Sequence, residues 1–146
     1  MPVREPERPA VLDALGADAL VDDGTDAVLR ISLPWIRSLP VAAVRDVEVW
    51  IDGARIPSPR AILGDRMVAV DDLGVEPGWW FVQDRLALRL GRAVDAGSHA
   101  VRLSFHLAVP YLQVGPDGPL ILPFLFERDL VAAAPVSAVG ITRDVA

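Results

Sequence analysis

Cysteine, lysine and asparagine are all absent from this chain of 146 residues. Without cysteine there is no disulfide framework and no thiolate metal site, which suits a reducing compartment, and the cytoplasm is the expected location. Without lysine, all 14 basic residues are arginine, a pattern that GC-rich coding produces and that carries no information about phosphate recognition. The formal net charge is -6 and the arginines are scattered. Phosphate-backbone binding needs a clustered positive surface, so nucleic acid is excluded as a partner. No apolar run approaches the ~20 residues that span a bilayer, so no membrane partner is expected. The opening stretch, Met1 to Pro9, mixes charges and prolines and lacks the apolar centre of a signal peptide.

What the chain has in abundance is apolar residues, 52% of the total. At this length it reads as a single domain, 1–146, able to bury roughly 70% of its unfolded surface without staples. Residues 1–10 read as a flexible arm. Residues 11–21 fit either a short helix or a strand; Gly16 weakens the helix, and a strand near 18–21 is favoured. A turn cluster at 22–26 precedes a strand over Ala27 to Leu33, which Pro34 ends. Val44 to Ile51 alternates cleanly, with Val47, Val49 and Ile51 on one face and Asp46, Glu48 and Trp50 on the other. Asp52-Gly53 then predicts a tight hairpin. Further strands are expected over Arg66 to Val70, Trp79 to about Leu90, and Val101 to Leu107, before Pro110-Tyr111-Leu112 leaves the last of these. Leu120 to Phe126 is too short for a helix with Pro123 inside it and too apolar for a free tail. About 132–146 loses periodicity and reads as flexible or partner-dependent. Short strands separated by frequent turns predict an all-β fold, an antiparallel β-sandwich, jelly-roll-like, with little helix.

The catalytic candidates are weak beside their plain readings. His99 and His106 fall on opposite faces of one strand, so they cannot share a metal; with no cysteine, no metal site is expected in this chain. Ser104 and His106 share a face, but side by side at roughly 6–7 Å, too far for a nucleophile and its base. Asp22-Asp23 and Asp71-Asp72 sit in turns, where aspartate is expected for its backbone hydrogen bonds. No catalytic residue and no cofactor is therefore assigned. The aromatic excess is harder to set aside. Trp35 lies in Pro34-Trp35-Ile36-Arg37-Ser38-Leu39-Pro40, an apolar connection closed by proline at each end. Trp79 and Trp80 are adjacent, so in a strand one points away from the core. Either both sheets and the loops bury all of these residues, or an interaction surface is present.

Four stretches resemble a known family. They are Leu33-Pro34-Trp35-Ile36-Arg37-Ser38-Leu39-Pro40; Val47-Glu48-Val49 leading to Asp52-Gly53; Trp80-Phe81-Val82-Gln83-Asp84; and Gly97-Ser98-His99-Ala100-Val101 running on to Pro110-Tyr111-Leu112. In order and spacing, across roughly residues 18–128, the chain resembles the beta subunits of bacterial C-glycoside deglycosidases. Ile36 departs from the pattern, since an aromatic is expected there. The resemblance implies a jelly-roll sandwich that pairs with an alpha subunit similar to TIM-barrel sugar isomerases, which carries a divalent metal, manganese or magnesium. It implies a complex acting on 3-oxo-C-glycosides. The C3 ketone acidifies the C2 proton, and elimination breaks the carbon–carbon bond to the aglycone. On this reading Trp35, Ile36, Arg37, Trp79, Trp80 and Tyr111 face the substrate or the other subunit. The alternatives are a stand-alone carbohydrate-binding module, an enzyme in its own right, or a subunit of a related complex that eliminates 3-oxo-O-glycosides.

Overall fold

The computed structural model describes residues 13–22, 25–113, 118–133 and 143–144, with the backbone alone at 110–113, 119 and 143–144. Among the described residues there are twelve strands: β1 Leu20–Asp22, β2 Ala27–Ser32, β3 Leu39–Pro40, β4 Val44–Ile51, β5 Ala54–Arg55, β6 Arg60–Leu63, β7 Arg66–Ala69, β8 Trp79–Trp80, β9 Asp84–Arg89, β10 Ser98–Gln113, β11 Pro119–Val131 and β12 Arg143–Asp144. Two short 3-10 turns, Val41–Ala43 and Val70–Val75, are the helical elements among the described residues. One sheet runs β1-β2-β9-β6-β7, a second runs β11-β10-β4-β5, and β3 pairs with β8 alone. All these pairings are antiparallel; β12 adds a parallel pairing to the start of β9. The all-β expectation holds.

The inner faces of the two large sheets meet in one core. Leu29, Ile31, Leu86 and Leu88 come from the first sheet, and Val49, Ile51, Leu103, Phe105 and Leu107 from the second. Each is essentially sealed from water, and burying one such side chain contributes about 1.5–3 kcal/mol. That fixes register, because a one-residue slip would turn every apolar side chain of a strand outward. Among the described residues no polar or charged residue is buried.

Local chemistry explains most boundaries. The β4–β5 turn places Asp52 at φ 51 and Gly53 at φ 82, the two positive values a two-residue hairpin loop requires. Asp46 also has positive φ, and the β4–β10 register shifts between Ser104 and His106, as in a β-bulge. The apolar run from Leu120 is the first half of β11, paired along its length with β10. Pro123 is tolerated there because β11 is the edge of its sheet, where a missing donor breaks no ladder.

Three expectations change. The strand expected over 79–90 is two strands in different sheets. Asp84 N–H closes a turn onto the Phe81 carbonyl at 2.9 Å. The indole of Trp80 reaches over the same turn to donate to the Asp84 carbonyl at 3.0 Å. The turn leaves Phe81 and Val82 exposed. The β6–β7 hairpin was not expected; Pro57-Ser58-Pro59 precedes it, and Gly64 turns it at φ 65. Finally, β10 does not end before Pro110 but continues to Gln113 beside β11. The expected arm at 1–10 lies outside the described residues. Of the tail, Ala133 bridges Val21 and Arg143–Asp144 pairs with β9, while 134–142 and 145–146 lie outside the described residues.

The adjacent tryptophans take opposite environments: Trp80 is 1% exposed and Trp79 51%. Trp80→Ala is expected to lower the unfolding free energy by about 3–5 kcal/mol, as loss of a large core ring does. Trp79→Ala should cost about 1 kcal/mol or less. Urea unfolding followed by circular dichroism checks both, and similar losses for the two would contradict their placement.

Candidate functional site

The Pro34–Pro40 connection is held at both ends. Pro34 is buried and Trp35 packs partly onto the core. At the far end Leu39 pairs with Trp80 and Pro40 with Trp79, and Val41 N–H donates to the Gly78 carbonyl at 2.9 Å. Between these anchors the Ser38 hydroxyl accepts the Val82 N–H at 2.8 Å. The loop therefore cannot move without the 79–82 segment. Its crown carries Ile36, 71% exposed, and Arg37, also exposed. Phe81 and Val82 stand exposed on the segment bonded to it.

The other side of the loop faces β11. A slot of about 330 Å³ opens between Pro34–Ile36 and residues 123–126. The wall on the β11 side is aromatic. Phe124 lies across from the core residue Phe105, with ring centroids 5.7 Å apart, and Phe126 follows at 6.0 Å from Phe124 with planes only 7° apart. Phe124 and Phe126 face inward yet stay partly open, and Leu125 is exposed on the opposite face of the strand.

The expected site residues separate on this surface. The structure brings Trp35 and Ile36 together at the slot, with Arg37 next in the chain and Trp79 at the loop's exit. Trp80 is corrected to a core position: with its ring buried and its indole N–H engaged, it supports the loop and offers no face to a ligand. The side chain of Tyr111 lies outside the described residues. Sequence reasoning missed Phe81, Val82 and Phe124 to Phe126 as neighbours of the loop. The apolar excess at 120–126 was the available signal, but nothing local places it beside residue 36.

Elsewhere the polar candidates are held in structural roles. A wider depression of about 520 Å³ lies around Trp50, Arg102 and Glu127. There the Arg102 guanidinium sits 5.0 Å over the Trp50 ring, a cation–π pair across β4 and β10. Ser104 faces Glu48 and His106 faces Arg45 across the strands. His106 Nδ1 comes to 3.1 Å from Asp46 Oδ2 but is not aligned for a hydrogen bond. Among the described residues no group of three or more His, Asp or Glu side chains converges on one point. No described helix is long and apolar enough to cross a membrane.

His99 is different. Its Nδ1 lies 2.7 Å from Asp52 Oδ2 and its Nε2 lies 2.6 Å from the Asp95 carbonyl oxygen. An ionised carboxylate and a carbonyl only accept, so the ring donates from both nitrogens when it is protonated, and protonation strengthens the contact. The second oxygen of Asp52 accepts the Ala100 N–H at 2.8 Å. One histidine thus clamps the β4–β5 turn to the start of β10.

No family model matches the chain. Two characterised proteins do. The 3'-dehydrocarminate deglycosidase beta subunit of a Microbacterium species is 33% identical over 107 residues, which cover 66% of this chain and 76% of that protein. The C-glycoside deglycosidase beta subunit of Arthrobacter globiformis is 34% identical over 113 residues, covering 72% of this chain and 84% of its own. This chain belongs to the C-glycoside deglycosidase beta subunit family. In this family member the four stretches noted in the sequence form two bonded pairs. Leu33–Pro40 is bonded to Trp80–Asp84 through Ser38 and Leu39. Asp52-Gly53 is bonded to His99-Ala100.

The second pair gives this beta subunit a pH dependence. The hydrogen bond to Asp52, then that to the Asp95 carbonyl, hold the His99 midpoint above the ordinary imidazole value. Its contribution to stability is therefore complete below about pH 6.5 and is lost as pH rises through the folded midpoint. The hydrogen bond from His99, then that from Ala100, hold the Asp52 carboxyl below its ordinary value. Its contribution is present above about pH 4 and is lost as pH falls through that depressed midpoint. NMR titration of the His99 ring should give a midpoint above 6.5, and Asp52→Asn should bring it down. An unchanged midpoint in that variant would mean that Asp52 is not the cause.

Proposed function

We propose that this chain is the non-catalytic, site-completing beta subunit of a heteromeric C-glycoside deglycosidase, a carbon–carbon lyase acting on 3-oxo-C-glycosides. The observation that carries this reading is the family membership. The surface supports it: Ile36, Trp79, Phe81 and Val82 are exposed on two connections that are hydrogen-bonded to each other. Scattered single apolar residues are ordinary on a protein surface, whereas a rigidly presented group of them suits a partner. The partner is an alpha subunit similar to TIM-barrel sugar isomerases, and the base and a divalent metal, manganese or magnesium, are assigned to it.

The reaction follows from the substrate. A ketone at sugar C3 makes the C2 proton acidic, and a base removes it. The resulting enolate re-forms its carbonyl as a double bond develops between C1 and C2. The bond from C1 to the aglycone breaks, and the departing aryl carbon takes up a proton. Water must be kept from the reacting face, and a second subunit that covers the mouth of the site does this by shape alone.

Co-expression with the alpha subunit and gel filtration test the reading. The chain should co-elute with that subunit, and 3-oxo-C-glycoside turnover should require both. Phe81→Asp with Val82→Asp should cut co-elution at least tenfold while leaving the circular dichroism of the isolated chain unchanged. Turnover by this chain alone, or elution of the wild-type chain alone, would overturn it.

A further inference from the structure

The slot between Pro34–Ile36 and β11 has a character distinct from the exposed rim around it. Its volume, about 330 Å³, falls at the lower end of the ~300–1,000 Å³ range of small-molecule sites. On the β11 side it is only four residues long, about 13 Å of strand. That is short for a docked helix, which needs several turns of contact. β11 is also poorly suited to accept an added strand here: Pro123, at one end of the four lining residues, has no N–H to give a new ladder.

The chemistry of the walls points the same way. None of the lining residues is charged. One wall is the Trp35 indole and the other carries Phe124 and Phe126, nearly parallel to one another. Aromatic faces prefer an aromatic occupant, through offset stacking or edge-to-face contact. Both walls are stiff. Pro34 is fixed in φ and buried, the loop is held by Ser38 and by the Leu39–Trp80 pairing, and Phe124 is backed by Phe105. A preorganised slot loses little entropy on binding.

We infer that this slot binds a planar aromatic ring of a small molecule. Resting on the reading proposed above, that ring is the aryl aglycone of the glycoside, held between the subunits while its sugar reacts in the alpha subunit. Ile36 then acts in specificity: where an aromatic side chain would fill the mouth, its smaller aliphatic side chain leaves the slot open.

Binding is measured first on the isolated full-length chain, with 2-naphthol as the aromatic probe and NMR as the readout. The Ile36 methyls and the Trp35 indole N–H should shift in a saturable way. Phe126→Leu, which removes a ring from the wall, and Ile36→Asp, at an exposed position, should each weaken binding at least tenfold without changing the circular dichroism spectrum. Absence of saturable shifts, or unaltered affinity in both variants, would overturn the inference. In the assembled complex, Phe126→Leu should raise KM for an aryl 3-oxo-C-glycoside at least fivefold while co-elution with the alpha subunit is unchanged. If Phe126→Leu abolished co-elution instead, the slot would hold a side chain of the partner and the inference would fall. Failure of the wild-type chain to co-elute would sink the subunit reading and not the ring site, which the isolated chain reports by itself.

Discussion

The pairing of Leu39 with Trp80, reinforced by the bond from Val82 N–H to Ser38, joins two connections whose bonded residues are 44 positions apart. Much of the candidate surface depends on it. Burying the Trp80 ring supplies the energy that holds the pair together. A fully buried aromatic is worth more than the two backbone pairs and the single hydrogen bond above it, each of which contributes only about 1 kcal/mol net. With the ring sealed in the core, the backbone on either side has little freedom. Trp79, Phe81 and Val82 are then exposed on the segment bonded to the loop that carries Ile36. Exposed apolar groups here follow from one buried neighbour, since a strand that commits one residue inward must turn the next one out.

The second bonded pair, Asp52 with His99 and Ala100, works by charge instead of burial. It sits at the opposite end of β4, on a two-residue turn that offers little apolar contact of its own. A charge-assisted clamp is suited to that position, because such bonds are stronger than neutral ones and tolerate partial exposure. The two devices together hold the ends of the β4–β10 sheet against the loops around it. They also account for why the stretches resembling the deglycosidase beta subunits are spread along the chain: each is one half of a contact.

In the role proposed for it, this beta subunit contributes shape to a reaction whose proton transfers are assigned to its partner. The stiffness of the Pro34–Pro40 connection matters for that role. A flexible apolar loop would collapse onto Phe124 and Phe126 and close the slot, since burying those half-open rings is favourable. Proline at both ends and the bond at Ser38 oppose such collapse, leaving an open aromatic recess that a rigid ligand can use.

Local rules in the sequence determined the strand of alternating residues at 44–51, the Asp52-Gly53 turn, the face of β10 that carries Val101 to Leu107, and the opposed fates of Trp79 and Trp80. In each case the cause is confined to a few neighbouring residues: side-chain alternation or the positive φ that glycine accepts. The family was legible too, in the order of its motifs. Tertiary structure alone decided that the Trp79–Leu90 stretch breaks into two sheets, because the Trp80 indole bonds across the turn, and that Phe124 and Phe126 face the loop at Trp35. It also decided that His99 bridges Asp52 and the Asp95 carbonyl and that Trp80 is the buried member of its pair. Pairing partners lie tens of residues away, and no period in a single strand reports which distant carbonyl, carboxylate or ring will meet it.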